Sequence, residues 1–196
     1  MHSSPLPKSL LRNWAGAYIR HFKIGPTNMK PGKIFRYLVL LLLISANIGC
    51  DQVSKSVVRQ KLDYHERISV VQDNVVLTKV ENSGAFLSLG DTLPPVTKQI
   101  FLFLLPSAAL FIMLFWLMLH IDMQKRMLFA LSCIIGGGAG NMYDRIVYGS
   151  VTDFLYIHYD FFKTGIFNAA DVSIMFGTFF LIGSFIFSTS KDLLRT

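Results

Sequence analysis

The run IFLFLLPSAALFIMLFWLML, Ile100–Leu119, holds twenty residues without one charged side chain. As a helix rising about 1.5 Å per residue it crosses the roughly 30 Å of hydrocarbon in a bilayer. A second uncharged run, Val172 to Phe187, repeats the signal. The chain of 196 residues is 52% hydrophobic with a mean hydropathy of +0.46, and the excess is gathered in such runs rather than spread evenly. A soluble helical bundle with a very apolar core does not need runs of that length.

Working outward from these two runs gives a membrane α-helical fold of four transmembrane helices. The first begins near Ile34 or Phe35, stays apolar to Ile48 and continues as helix through Gly49, Cys50 and Asp51 toward Val58. The second is Ile100 to His120, with a mild kink at Pro106 that neighbouring helices can accommodate. The third, Met127 to Asn141, is short and ends in glycines, and the fourth runs from about Asp171 to Ser190. Between the first two, Ile68, Val70, Val75, Val76, Leu77 and Val80 favour strands, and Gln72, Asp73 and Asn74 supply a turn. A small, mostly antiparallel β platform on the outer (periplasmic) surface is expected over about 60–95, with a short amphipathic element near Gly84 to Leu89. Domain organisation follows as a basic N-terminal arm (1–33), a four-helix membrane domain with its platform (34–190) and a tail (191–196).

Charge sets the orientation. Lys8, Arg12, Arg20, Lys23, Lys30, Lys33 and Arg36 stand in the first 36 residues without an acid among them, and bases outnumber acids in the 122–126 loop and the tail. Residues 51 to 99 balance six bases against six acids, and the loop before Asp171 is net acidic. Basic segments stay in the cytoplasm, so both termini lie inside and both large loops outside. The net charge of +7 does not indicate nucleic acid, because the basic arm has no interleaved stacking aromatics and no recognition helix follows it. The arm also has Pro5, Pro7, Pro26 and Pro31, and Leu10 to Phe22 can lie amphipathically on the inner surface. Cys50 and Cys133 each fall in an apolar run and are expected to be small buried hydrophobes rather than a disulfide. The Asn47-Ile48-Gly49-Cys50 stretch imitates a lipoprotein cleavage region, but the long arm before it and three further spans after it argue against that.

Polar side chains at the ends of membrane helices are costly unless paired, hydrated or used. Five clusters stand at the expected outer ends: Asp51 to Lys55, Glu81 to Phe86, Gly136 to Arg145, Val151 to Phe154 and Phe167 to Asp171. Asp51 and Lys55 are four apart and can pair on one helix face. The plain structural role of Asn82, Gly84 and Phe86 is a turn on the hydrophobic platform. The glycines from 136 to 140 allow close helix approach and so place Asn141, Asp144 and Arg145 against neighbours. Asp153, expected in a loop, and Asp171, expected to open the last helix, are the candidate pair. Adjacent carboxylates share a proton, giving one base to activate a water and one acid to protonate a leaving group during attack on a peptide carbonyl. The plain structural role is a loop cap for Asp153 and a helix cap for Asp171.

Rival chemistries are poorly supplied. The five histidines form no metalloprotease pairing, Ser54 points away from Lys55 around the helix, and Tyr143-Asp144 lacks the Gly-x-Gly-Asp partner of the presenilin-like proteases. The acids lie at one edge rather than at mid-bilayer, where a transporter would use them.

Taken together, the clusters resemble the lipoprotein signal peptidases (signal peptidase II). The resemblance rests on Asp51 with Lys55, Asn82 with Gly84 and Ala85-Phe86, Gly140-Asn141 with Asp144-Arg145, Val151 with Asp153-Phe154, and Phe167-Asn168 with Ala170-Asp171, in order over residues 34 to 190. It implies a cofactor-free, metal-free aspartyl endopeptidase of the bacterial inner membrane, with Asp153 and Asp171 as catalytic residues. Asn82, Gly84, Asn141, Asp144, Arg145, Asn168 and Ala170 would line the pocket or hold the pair, with Asp51 and Lys55 in support. The implied substrate is a diacylglyceryl-modified prolipoprotein cut just before its lipidated cysteine. Globomycin-type inhibitors, membrane phospholipid and no nucleic acid complete the implied partners. The aromatic loop 155 to 166 is expected at the membrane interface.

Overall fold

A computed structural model describes residues 31–71, 74–84 and 94–193. The arm's expected amphipathic segment, Leu10 to Phe22, and the part of the expected amphipathic element beyond Gly84, with Ala85-Phe86, lie outside the described residues.

Four long helices carry the chain: α1 (Pro31–Lys61), α2 (Pro95–Leu119), α3 (Lys125–Tyr148) and α4 (Ala169–Leu193). Two of them, α1 and α2, are long and apolar enough to cross a membrane. Their outer surfaces explain why: Leu41, Leu42, Phe111, Phe115 and Leu119 on α1 and α2, with Phe179 on α4, are more than half exposed, a cost in water and none in lipid.

Two helices differ from expectation. The second begins at Pro95 rather than Ile100, and its irregularity is a π-helical turn, Gln99–Leu104, placed just before Pro106. A ring nitrogen without a proton cannot close an ordinary turn, and the widened turn ahead of it accommodates the missing hydrogen bond. The third helix does not stop at Asn141; it runs to Tyr148 and ends on Gly149, whose φ of 79° suits a residue without a Cβ. Its glycines lie mid-helix and set packing distance. A Cβ on Gly137 would sit 2.5 Å from the Ala170 carbonyl oxygen, one on Gly140 2.6 Å from Asp51 Oδ2, and one on Gly136 2.6 Å from Asn47 Cβ. The third helix therefore touches α1 and α4 almost backbone to backbone, and α3 against α4 is the most extensive contact between helices.

Leu40, Leu117, Ile121, Leu128, Leu131 and Ile135 form the buried core at the opposite end of the bundle from the sheet. Arg36 closes that end by donating to the Ile121 and Met123 carbonyls at 3.0 and 2.8 Å, and Lys33 pairs with Asp122 at 2.5 Å. Cys133 is buried as expected, whereas Cys50, expected to be buried, is exposed on α1; both are free.

The sheet is larger than the segment 60–95 suggests. Strands β1 (Arg67–Val71) and β2 (Val75–Asn82) form the expected hairpin, but β3 (Val151–Tyr159) and β4 (Phe162–Lys163) extend it to four antiparallel strands in the order β1-β2-β3-β4. Val80 pairs with Asp153 and Asn82 with Val151. The segment expected as a loop around Asp153 is thus a strand, and much of the expected aromatic loop 155 to 166 is a hairpin.

Candidate active site

Helix α1 presents Asp51, Lys55 and Arg59 at four-residue spacing, so all three share one face. That face meets α3 where Gly140 leaves room. Lys55 and Asp51 are fully buried and 2.8 Å apart, Lys55 also lies 3.1 Å from the equally buried Asp144, and Arg59 pairs with Asp144 at 2.8 Å. Gln52 joins the acids by donating to Asp51 and Asp144, both at 3.0 Å. The remaining Asp51 oxygen accepts the Ala170 amide at 2.9 Å, which locks the start of α4 onto α1. Two buried acids and two bases thus satisfy one another, the condition under which buried charge is tolerated.

Asn141 connects this network to Asp171. Its carbonyl oxygen accepts from Lys55 at 2.9 Å, and its amide donates to Asp171 Oδ1 at 2.8 Å. Asn168 performs the corresponding task for Asp153. Its amide donates to Asp153 Oδ1 at 2.6 Å and to Asn141 Oδ1 at 3.1 Å, while its oxygen accepts the Asp171 backbone amide at 3.0 Å. Asp171 Oδ2 in turn accepts the Asn168 backbone amide at 3.2 Å. The exchange is a capping box at the N-terminus of α4, so Asp171 does cap its helix, as its plain structural role requires. Its other oxygen is the one that accepts from Asn141. Asp153 Oδ2 accepts from Asn82 at 2.8 Å, and Asn82 is itself fixed by the Gly84 amide at 2.9 Å. Gly84's carbonyl accepts from Arg145 at 3.0 Å.

Two carboxylates from β3 and α4 therefore converge through three asparagines, with no base bonded directly to either among the described residues. Asp153 is 4% exposed. Burial is the main reason its carboxyl is raised from 3.8 to about 6; hydrogen bonds from Asn82 and Asn168 oppose the shift, and the nearby Asp171 charge reinforces it. Beside Asp171 a cleft of about 330 Å³ opens between the π turn and α4, lined by Phe101, Leu102, Pro106, Ile174 and Met175 with Asn141 and Arg145. A larger one, about 790 Å³, lies across Leu102 and Arg145 along the π turn and α3. An acid pair of which one member, Asp171, lines an apolar cleft can activate a water against a carbonyl delivered with an apolar group.

All eleven residues singled out from the sequence lie in or against this arrangement. Sequence reasoning gave no role to Gln52, Thr152 and Glu81, although they fall in the polar clusters, and left out Arg59. Thr152 donates its backbone amide to Asp144 and its hydroxyl to Glu81, and accepts from Arg59 at 2.9 Å, tying β3 to α1 and α3. The four-residue spacing from Lys55 to Arg59 was a readable signal; the role of Thr152 depends on strand pairing and was not.

Comparison with known proteins follows the same residues. The family model described as Signal peptidase (SPase) II matches residues 43–187. The chain is 35% identical to the lipoprotein signal peptidase of Clostridium tetani over 72% of its own length and 88% of the relative's. It is 35% identical to that of Desulforapulum autotrophicum over 81% of its length and 98% of the relative's. A solved bacterial membrane enzyme, determined by the in meso method, superposes with a TM-score of 0.68 at 25% identity, covering 78% of this chain and 90% of that one. With a family match over most of its length and relatives spanned almost end to end, this chain belongs to the signal peptidase II family.

Proposed function

We propose that Asp153 and Asp171 are the two catalytic carboxylates with which this aspartic-type endopeptidase removes the signal peptide from diacylglyceryl-modified prolipoproteins. The single observation that carries the assignment is the asparagine bridge. Asn168 donates its side-chain amide to the Asp153 carboxylate and its backbone amide to the Asp171 carboxylate, so two acids eighteen residues apart on different elements share one partner, with no base bonded to either among the described residues. One carboxylate draws a proton from a bound water as it attacks the carbonyl before the lipidated cysteine. The other, carrying the shared proton, delivers it to the departing amine. Family membership supplies the reaction class and the prolipoprotein substrate; the geometry supports these residues as the ones that perform it.

The remaining parts take roles from their contacts. Asn82, Asn141 and Asn168 orient the acids, and Gly84 and Arg145 form the rim. Asp51, Lys55, Asp144 and Ala170 hold α1, α3 and α4 in register beneath them. The substrate's acyl chains enter from the bilayer through the apolar clefts beside the π turn, which brings the scissile bond to the interface. Globomycin-type cyclic peptides bind by occupying the same acids, and membrane phospholipid contacts the bundle. All four long helices cross the inner membrane, with both termini cytoplasmic and the acids at the periplasmic face. The organisation is an arm over 1–33, the membrane protease domain over 34–190 and a tail over 191–196. Lys33, Arg36 and the 120–124 loop meeting at the end remote from the sheet support that orientation.

The test uses full-length protein in detergent with a diacylglyceryl-modified prolipoprotein and the unmodified precursor. Asp153→Asn and Asp171→Asn are each expected to lower cleavage by at least about a thousandfold while the protein stays folded. Full cleavage by both variants would overturn the assignment, and equal turnover of the unmodified precursor would overturn lipid recognition.

A further inference from the structure

Side chains alternate across a strand, so the four-stranded sheet has two faces of different chemistry. Asp153, Leu155 and Ile157 point to one face of β3, and their partners Leu77 and Val75 continue it as an apolar surface. Tyr156 and His158 point to the other. Register adds to that opposite face Val76 beside Tyr156, Ser69 beside Val76, and Lys163 beside His158. With Arg67 these residues enclose a cleft of about 390 Å³ on the side of the sheet away from the catalytic acid. Three of the six are basic or can become so, two carry hydroxyls and none is acidic. Arg67, His158 and Lys163 make no ion pair among the described residues.

The hairpin that supplies Lys163 ends in uncovered aromatics. Phe161 is 93% exposed, Tyr159 66% and Phe162 58%, and on the outer strand Val70 and Val71 are both more than half exposed. In water such a tip is unfavourable, while in the headgroup layer of a bilayer aromatic rings are at their preferred depth. Cationic side chains beside buried-in-lipid aromatics then lie at the level of the phosphates.

We propose that the cleft formed by Arg67, Ser69, Tyr156, His158 and Lys163 is a binding site for the phosphate of an anionic phospholipid, which holds the hairpin end of the sheet to the outer leaflet. Arg67 and Lys163 supply charge, and the hydroxyls and imidazole supply further donors to the phosphate oxygens. An acidic polypeptide would satisfy the bases but leave Phe161 and its neighbours uncovered, so lipid is the occupant that accounts for both features. The proposal refines the enzyme reading by naming where this membrane protease takes hold of its membrane, and binding requires no cleavage.

The test titrates the full-length protein in neutral detergent with dioleoylphosphatidylglycerol or dioleoylphosphatidylcholine and counts bound lipid by native mass spectrometry. The wild type is expected to prefer phosphatidylglycerol. Arg67→Gln/Lys163→Gln is expected to weaken that binding roughly 30-fold, from about a fivefold loss for each base near an anionic surface, and to leave phosphatidylcholine unchanged. Equal binding of the two lipids by the wild type, or undiminished phosphatidylglycerol binding by the double variant, overturns the site. Displacement by a glutamate-rich peptide, or by inorganic phosphate at the lipid's own affinity, assigns the cleft to a polypeptide or to a free anion and overturns it as well. Asp153→Asn protein, titrated in parallel, is expected to bind phosphatidylglycerol like wild type, which separates a failed lipid site from a failed catalytic assignment.

Discussion

Two pairs of aspartates lie within a few residues of each other in space and differ in their company. Asp51 and Asp144 are fully buried against Lys55 and Arg59, four charges in a closed network. Asp153 and Asp171 are held by Asn82, Asn141 and Asn168, whose amides donate hydrogen bonds but carry no charge. A base at contact distance offsets the cost of burying a carboxylate and serves structure. An amide positions a carboxylate while leaving it able to gain and lose a proton, which is what acid-base chemistry requires. The sign of the partner, more than depth of burial, separates the supporting acids from the reacting ones.

The comparison breaks most severely if the supporting pair loses its base. Lys55→Met leaves two acids buried with one counter-charge on the far side, and is expected to cost about 3–5 kcal/mol in unfolding followed by circular dichroism in detergent. Adding Asp51→Asn should recover part of that loss; no recovery would mean that the charges do not act as a unit. The reacting pair behaves in the opposite sense. Burial raises Asp153 from 3.8 to about 6, so between these values the folded protein holds a proton that the unfolded chain releases, and stability falls as pH rises through that window. Asp153→Asn is therefore expected to stabilise the protein above pH 6, by up to about 3 kcal/mol, and to lose that advantage near pH 4. Loss of stability at pH 8 would contradict the sign.

A third change acts on the frame that both pairs share. Gly137→Ala places a methyl group 2.5 Å from the Ala170 carbonyl, a backbone atom that cannot yield without moving the start of α4. An overpacking cost of about 1–3 kcal/mol is expected together with a fall in cleavage, because Asp171 lies one residue beyond. Unchanged kcat/KM would show that the acids tolerate displacement of α4. The mildest change sharpens the amide argument. Asn82→Ala removes the strongest interaction holding the Asp153 carboxyl down, so the limb of the pH–rate profile governed by Asp153 should move to higher pH by about one unit, the equivalent of one hydrogen bond. A downward movement would reverse the role assigned to Asn82.

Much of the molecule was readable because its signals are local. Uncharged runs near twenty residues mark long apolar helices, and Asp51 with Lys55 at four-residue spacing marks a pair on one face. The hairpin from Arg67 to Asn82 was legible from β-favouring residues around a turn. Errors arose where local pattern is ambiguous. Glycines from 136 to 140 read as an ending, yet they lie inside α3, because a helix packed against two others gains more from close approach than it loses in glycine entropy. Val151 to Tyr159 read as a loop because its pairing partner, β2, lies some 70 residues earlier and no spacing within the segment records that partner.

The amino-acid sequence by itself determined which segments are apolar enough for lipid, the order of the acidic clusters and the family to which they point. It also placed the polar groups at the ends of those segments, since hydropathy and helical period are properties of neighbouring residues. Only the tertiary structure decided that Asn168 touches Asp153 and Asp171 together, that Arg59 and Thr152 complete the supporting network, and that one face of the sheet is apolar while the other is cationic. Those facts depend on strand register and helix crossing, which arise from contacts between residues far apart in the chain.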